Sequence, residues 1–166
     1  MSGQTSITGG CQCGAVRYVI KGALGKASIC HCRMCQKAFG SFFGPFVSVE
    51  RNNFELTRGT LSMFRSSDAA ERGFCRDCGT PLSFQFVGTE QIDLAIGSLD
   101  KPELARPADQ IGIEGRLPWF AELAGLPERT TEAGDTPERL SLIAQSNRQH
   151  PDHDTRDWLH PGAGSA

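Results

Sequence analysis

Seven cysteines fall in three tight groups: Cys11-Gln-Cys13, Cys30-His-Cys32-Arg-Met-Cys35 and Cys75-Arg-Asp-Cys78. Two cysteines separated by one or two residues can aim both sulfurs at a single ion, because a tight turn reverses the chain over that distance. Gly14 and Gly79 directly follow two of these pairs and give the turn the backbone freedom it needs. Four thiolates at roughly 2.3 Å in a tetrahedron saturate a zinc ion and leave no room for substrate, so a four-cysteine site is structural. Joining Cys11 and Cys13 to Cys75 and Cys78 makes such a closed site and pins the first strand region to a distant part of the chain. Cys30, Cys32 and Cys35 are then three ligands on a turn entering a helix, one short of a tetrahedron. An open fourth position is what a metal needs to take the proton from a bound thiol or water. Spacing alone leaves other partitions of the seven open, and iron in a rubredoxin-like site or an iron–sulfur cluster competes with zinc for soft thiolates. The lack of ferredoxin spacing favours zinc, at two ions per chain.

His31 stands between two of the cysteines. In extended backbone its side chain points away from both neighbouring sulfurs, so it is expected to pack rather than ligate. His150, His153 and His160 lie in a polar tail and read as exposed polar residues. No isolated carboxylate or histidine stands out as a general base.

These residues must be held by short elements. Runs rich in β-branched and aromatic residues at 16–20, 42–49, 61–65, 71–74, 82–87 and 92–96 read as strands, separated by Gly, Pro, Asn and Asp. Arg33 to Phe39, free of Pro and Gly, permits two helical turns that begin inside the second cysteine group. Nearly every aromatic and all the cysteines lie within 9–122, which is therefore the expected working domain. Beyond Pro127 the composition shifts to Glu, Asp, Thr, Pro and Gly. Residues 123–166 are expected to be an extension with one helix at 136–146, where Leu140, Ile143 and Ala144 share a face, followed by a loosely ordered end. The expected fold is mainly β, a single domain stapled by zinc, with one short helix in its core.

The chain has 166 residues, of which 39% are hydrophobic and 22% charged, as in ordinary soluble folds, and nineteen glycines favour short strands and turns. Residues 1–126 carry thirteen Lys and Arg against twelve Asp and Glu, and 127–166 carry four against seven, so no basic footprint for nucleic acid is present. The opening MSGQTSITGG has neither a basic nor an apolar leader segment, and no stretch reaches the length of a membrane span. A cytoplasmic protein is expected. In that reducing compartment clustered thiols indicate metal or redox chemistry more than disulfides.

GGCQCGAVRY, CHCRMCQKAFGSFF and FCRDCGTPLSF, followed by GSLD and LPWF, occur in an order that resembles the glutathione-dependent formaldehyde-activating enzymes and their relatives, which include centromere protein V. The resemblance covers residues 9–122. It implies a tent-like β fold, a tetrathiolate zinc at Cys11, Cys13, Cys75 and Cys78, and a second zinc at Cys30, Cys32 and Cys35. It further implies carbon–sulfur lyase chemistry, in which a glutathione-like thiol and an aldehyde join reversibly as S-hydroxymethylglutathione. Many relatives have a His in the segment ADQIGIE, where Gln110 stands here. Arg33, Gln36 and Lys37 lie beside the ligands and are expected either to recognise the carboxylates and peptide groups of such a thiol or to form a solvated helix face. Phe39, Ser41, Phe42 and Phe43 are expected to build core and pocket wall, and Trp119 and Phe120 to cap the fold. The rival readings are a non-catalytic zinc-stabilised binding module and a thiol–disulfide oxidoreductase using Cys75 and Cys78.

Overall fold

The computed structural model describes residues 6–158. It is mainly β, with two sheets. Strands β1 (Ser6–Gly10), β2 (Arg17–Lys21) and β5 (Phe54–Arg58) form an antiparallel three-stranded sheet in the order β1-β2-β5. The second sheet has seven strands: β3 (Ala27–Cys30), β4 (Gly44–Glu50), β6 (Ser62–Ser67), β7 (Ala70–Phe74), β8 (Pro81–Phe86), β9 (Gln91–Ala95) and β10 (Asp109–Ile111). Their order is β10-β3-β4-β9-β8-β7-β6, antiparallel except where β10 runs parallel to β3. No helix among the described residues is long and apolar enough to cross a membrane.

Alternation along the strands divides the large sheet into two faces. Ala27, Val47 and Leu94 are aligned across β3, β4 and β9 and face the small sheet, where they meet buried Tyr18 and Ile20 in the main core. Ser28, Phe46, Asp93 and Phe84 fall on the opposite face, along with Cys30 two residues on from Ser28. Tyr18 can be wholly buried because its hydroxyl pairs with Ser98 Oγ at 2.8 Å, which in turn donates to the carbonyl of Ala95.

The helix α1 occupies Arg33–Phe39, as its composition predicts. Cys32 caps its first turn, accepting from the Cys35 N–H, and Gly40 closes it in the left-handed conformation. Four strands were not foreseen. β1 is glycine-rich, β3 and β10 span only four and three residues, and β5 (FELTR) mixes charge with apolar residues, so none carries the apolar run used to find strands. The expected 42–49 strand begins at Gly44. A short helix α2 (Thr131–Gly134) precedes α3 (Pro137–Ser146), which fills the predicted span, with Thr136 as its cap. The shared apolar face of α3 is not buried: Ile143 and Ala144 are exposed and only Leu140 is half-covered.

The end of the chain departs most from expectation. Residues 150–158 return to the core and lie along the first cysteine turn: His150 N–H donates to the Gln12 carbonyl at 2.7 Å and Trp158 Nε1 to the Cys13 carbonyl at 2.8 Å. Arg58 reaches across to the carbonyls of Gly14 and Thr155, and Asp154 accepts from buried Arg17. His150, expected to be exposed, is buried and stacks edge-on against Trp158. Its pKa lies below the usual histidine value because burial disfavours the charged form and Arg17 and Arg58 are close by. His153 is exposed as expected, and His160 lies outside the described residues.

Candidate metal centres and the cavity beside them

Two turns of matching design bring four cysteines together. Cys11 N–H bonds to the Val16 carbonyl and Cys75 N–H to the Thr80 carbonyl, each five residues on, and Gly14 and Gly79 close the turns onto the Cys11 and Cys75 carbonyls. Both glycines have φ of +75°. Any other residue would be strained there, and at Gly14 a Cβ would also collide with the rings of His150 and Trp158. Thus the sulfurs of Cys11, Cys13, Cys75 and Cys78 all lie within 4.8 Å of one another. Cys11 and Cys13 Sγ are 3.6 Å apart, Cys13 and Cys75 Sγ 3.8 Å. Four sulfurs about 2.3 Å from a common centre lie about 3.8 Å apart in a tetrahedron, so the donor set fits a soft divalent ion. Cys11, Cys13 and Cys75 belong to the main core, and only Cys78 is half-exposed.

The second cluster sits where β3 runs into α1. Cys30 ends the strand, Cys32 caps the helix and Cys35 lies on its first turn, and their sulfurs also lie within 4.8 Å of one another. Among the described residues no further His, Cys, Asp or Glu joins the three. Either cluster could therefore hold a metal, the first with four thiol ligands and the second with three.

Proton affinities agree with that donor chemistry. Burial pushes Cys13 far above the ordinary thiol range, Cys30 to about 12 and Cys75 to about 11, while burial raises Cys35 although Arg72 opposes it. The half-exposed member of each cluster goes the other way. For Cys78, burial is outweighed by bonds from the Thr80 hydroxyl and N–H, which bring it to about 6. For Cys32, burial is outweighed by the Cys35 N–H and the neighbouring thiols. Crowded buried thiols resist losing their protons until a cation is placed among them, and then yield them readily.

His31, between the ligands, is fully buried and turned away from the sulfurs. Its ring meets Phe120 edge-on at 4.5 Å, and Gln110 Oε1 accepts the Nε2 proton at 2.9 Å. Gln110, on β10, therefore anchors the ligand loop to the sheet, and the His31 N–H donates to the Ile111 carbonyl on the same strand. Gln36 is buried too. Its Nε2 donates to the carbonyls of His31 and Gly115 at 2.7 and 2.8 Å, and its Oε1 accepts from Arg33. The side chain of Gln36 is thus committed to clamping the ligand loop, whereas Arg33 and Lys37 are exposed on the helix surface.

All three cysteines of the second cluster line a cavity of about 270 Å³ on the outer face of the large sheet, together with Met34, Phe46, Phe84, Phe86, Ile111 and Ala70. Arg33, Gln36 and Lys37 do not line it. Two charged side chains that the sequence did not single out do so, Arg72 on β7 and Asp93 on β9, along with Ser28, Ser66 and Ser67. Arg72 lies over the Phe84 ring at 4.9 Å and donates to Cys35 Sγ at 3.6 Å. Asp93 has a raised pKa, because burial disfavours its charge more than the Ser48 hydroxyl stabilises it. In sequence both are ordinary charged residues in strands, and only the pleat, which places Arg72 opposite Phe84 and Phe84 opposite Asp93, joins them. Phe39 packs edge-on against Phe46, while Phe42, Phe43, Trp119 and Phe120 form an aromatic group around His31. A wider, polar cavity of about 460 Å³ lies beside Cys11 and Cys78, between the first cluster and the returning tail.

Comparison with known proteins places these features. A crystal structure of a Rhodobacter sphaeroides protein superposes with a TM-score of 0.50 at 22% identity, covering 62% of this chain and 98% of that one, a likeness of fold. An uncharacterised lyase of Schizosaccharomyces pombe is 32% identical over 79 residues, 48% of this chain and 57% of the relative, so the chain matches little more than half of that protein's length. The model of the family described as glutathione-dependent formaldehyde-activating enzyme matches residues 6–114, a span holding both cysteine clusters and the cavity residues around the second. This chain belongs to the glutathione-dependent formaldehyde-activating enzyme family.

Proposed function

We propose that the protein is a zinc-dependent carbon–sulfur lyase that forms or cleaves thiol–aldehyde adducts of the S-hydroxymethylglutathione type, with Cys30, Cys32 and Cys35 at its reactive centre. The observation that carries this reading is that the cluster with three ligands, one short of saturation, lines an apolar cavity on the outer face of the large sheet. Cys11, Cys13, Cys75 and Cys78 would hold a second zinc as a staple between the two turns, in a domain spanning residues 9–122, with 123–166 as an extension. A zinc held by three thiolates with one position open supplies acidification of an incoming thiol, whose free pKa is about 8.5.

The protein's own groups do the rest. The thiol sulfur gives an electron pair to the aldehyde carbon, the carbonyl π pair moves onto oxygen, and one proton must travel from sulfur to that oxygen. Asp93, lining the cavity and reluctant to ionise, is the carrier of that proton. Arg72 sets a fixed positive charge beside Cys35, where it offsets the excess negative charge of three thiolates and can donate to the developing oxyanion. The cavity walls on the sheet face bring the two reactants together. Arg33 and Lys37, outside the cavity, are placed to meet the carboxylates of a glutathione-like thiol extending over α1.

Replacing Cys32 or Cys35 by Ser tests this reading. The expected result is a folded protein with one zinc instead of two, measured by metal analysis, and no turnover of glutathione with formaldehyde. Unchanged turnover after the loss of one zinc would contradict the reading. In Cys78→Ser the staple is lost, and the soluble folded yield should collapse. In the rival reading, a non-catalytic binding module, a buried ligand fills the fourth position of the second site; among the described residues no further His, Cys, Asp or Glu joins the three cysteines.

A further inference from the structure

We infer that the cavity at the three-cysteine cluster selects an aldehyde bearing an apolar, ring-sized group in preference to formaldehyde. The inference rests on the reading of this cavity as the reactive site.

Size is the first observation. Formaldehyde is little larger than a water molecule, whose share of liquid volume is about 30 Å³. The cavity holds about 270 Å³, close to the lower end of pockets that enclose whole organic ligands, roughly 300 Å³. Water left beside a bound formaldehyde would face walls that offer few hydrogen bonds.

The nature of those walls is the second. Phe84 packs against Phe46 at 5.9 Å and edge-on against Phe86 at 5.0 Å, giving a continuous aromatic wall across β4 and β8. The mouth is the third. Met34 on α1, Phe86 on β8 and Ile111 on β10 come from three separate elements, border the same cavity, and stay 61%, 54% and 47% exposed. Large apolar side chains gathered at an opening mark a surface that is covered in use. The polar groups are Asp93, Arg72, the thiols and the small serines Ser28, Ser66 and Ser67, and they lie among these walls. That layout suits a hemithioacetal whose sulfur and oxygen meet the polar groups while an aromatic or branched substituent fills the remainder. The bond changes are those given above, with no oxidant or reductant required.

The test uses the zinc-loaded full chain with glutathione as the thiol and compares formaldehyde with phenylacetaldehyde. For each aldehyde the catalysed rate is divided by the uncatalysed rate of addition. The expected enhancement is roughly tenfold greater for phenylacetaldehyde. Calorimetric titration with 2-phenylethanol, an unreactive analogue, should show binding where methanol shows none. Phe86→Ala, at a half-exposed rim position, should weaken that binding about tenfold with zinc content unchanged. An enhancement for formaldehyde equal to or above that for phenylacetaldehyde overturns the inference, as does 2-phenylethanol binding that ignores Phe86→Ala. If neither aldehyde is turned over, the reaction itself is refuted. Binding of 2-phenylethanol that Phe86→Ala abolishes would in that case still support an apolar ligand.

Discussion

Asp93 and Arg72 bring to the cavity what three cysteines alone lack: a carboxyl whose pKa burial raises and a guanidinium donor beside the thiols. Asp93 is half-buried with Ser48 and Phe84 as its cross-strand neighbours. Under the proposed reaction, Asp93→Asn keeps the shape and removes the proton carrier. Its kcat should fall about a hundredfold with KM little changed, and steady-state kinetics giving a wild-type kcat would remove Asp93 from the mechanism. The cysteines were legible in the sequence because metal ligation imposes local spacing. Asp93 and Arg72 were not, because each lies far along the chain from the second cluster and only strand pairing brings them to it. Gln36 shows the converse. Its position beside the ligands suggested substrate contact, yet its side chain is taken up by two backbone carbonyls.

At the scale of elements, both clusters form where a strand stops and the chain must turn. β3 ends at Cys30 and α1 begins at Arg33, with only two residues between, so three ligands follow from one junction. α1 was readable because it lacks breakers, and strands with apolar runs were readable within a few residues. β1, β3, β5 and β10 were missed because their stability comes from neighbours: β10 is three residues long and is held on by its pairing with β3. The small sheet is locked to the rest by a charge. Arg17, 3% exposed, donates to both oxygens of Asp100 at 2.8 and 2.5 Å, and Thr8 donates to the same carboxylate. Asp100→Asn should cost about 2 kcal/mol in urea unfolding, since it leaves a buried guanidinium with the half-exposed Asp154 as its remaining carboxylate partner. Burial tends to raise the Asp100 pKa, but Arg17 and Thr8 outweigh it and hold the carboxyl below the ordinary carboxylate range. Its folded pKa is thus below the unfolded value of about 3.9, so the stabilisation is complete above that pH and disappears as pH falls through the folded pKa. The gap between wild type and Asp100→Asn should therefore narrow below about pH 4, and a gap that stays constant down to pH 3 would show that the ion pair is not its source.

Across the whole molecule, the two clusters divide the labour. The four-cysteine set is continuous with the main core and is strapped by the returning tail through His150 and Trp158. That strap was invisible in composition, because a segment of His, Asp, Thr and Arg reads as solvated until its partners, here Gln12, Cys13, Arg17 and Arg58, are known. The three-cysteine set lies on the opposite side of the large sheet, facing an apolar cavity. Whether that second set has an exchangeable coordination position decides between an enzyme and a binding module. Cobalt-substituted protein titrated with glutathione measures it directly, since thiolate-to-cobalt absorption reports each sulfur that enters the coordination sphere. A saturable spectral change that is absent in Cys35→Ser is the predicted result, and a spectrum indifferent to glutathione in the folded, two-metal protein would contradict it.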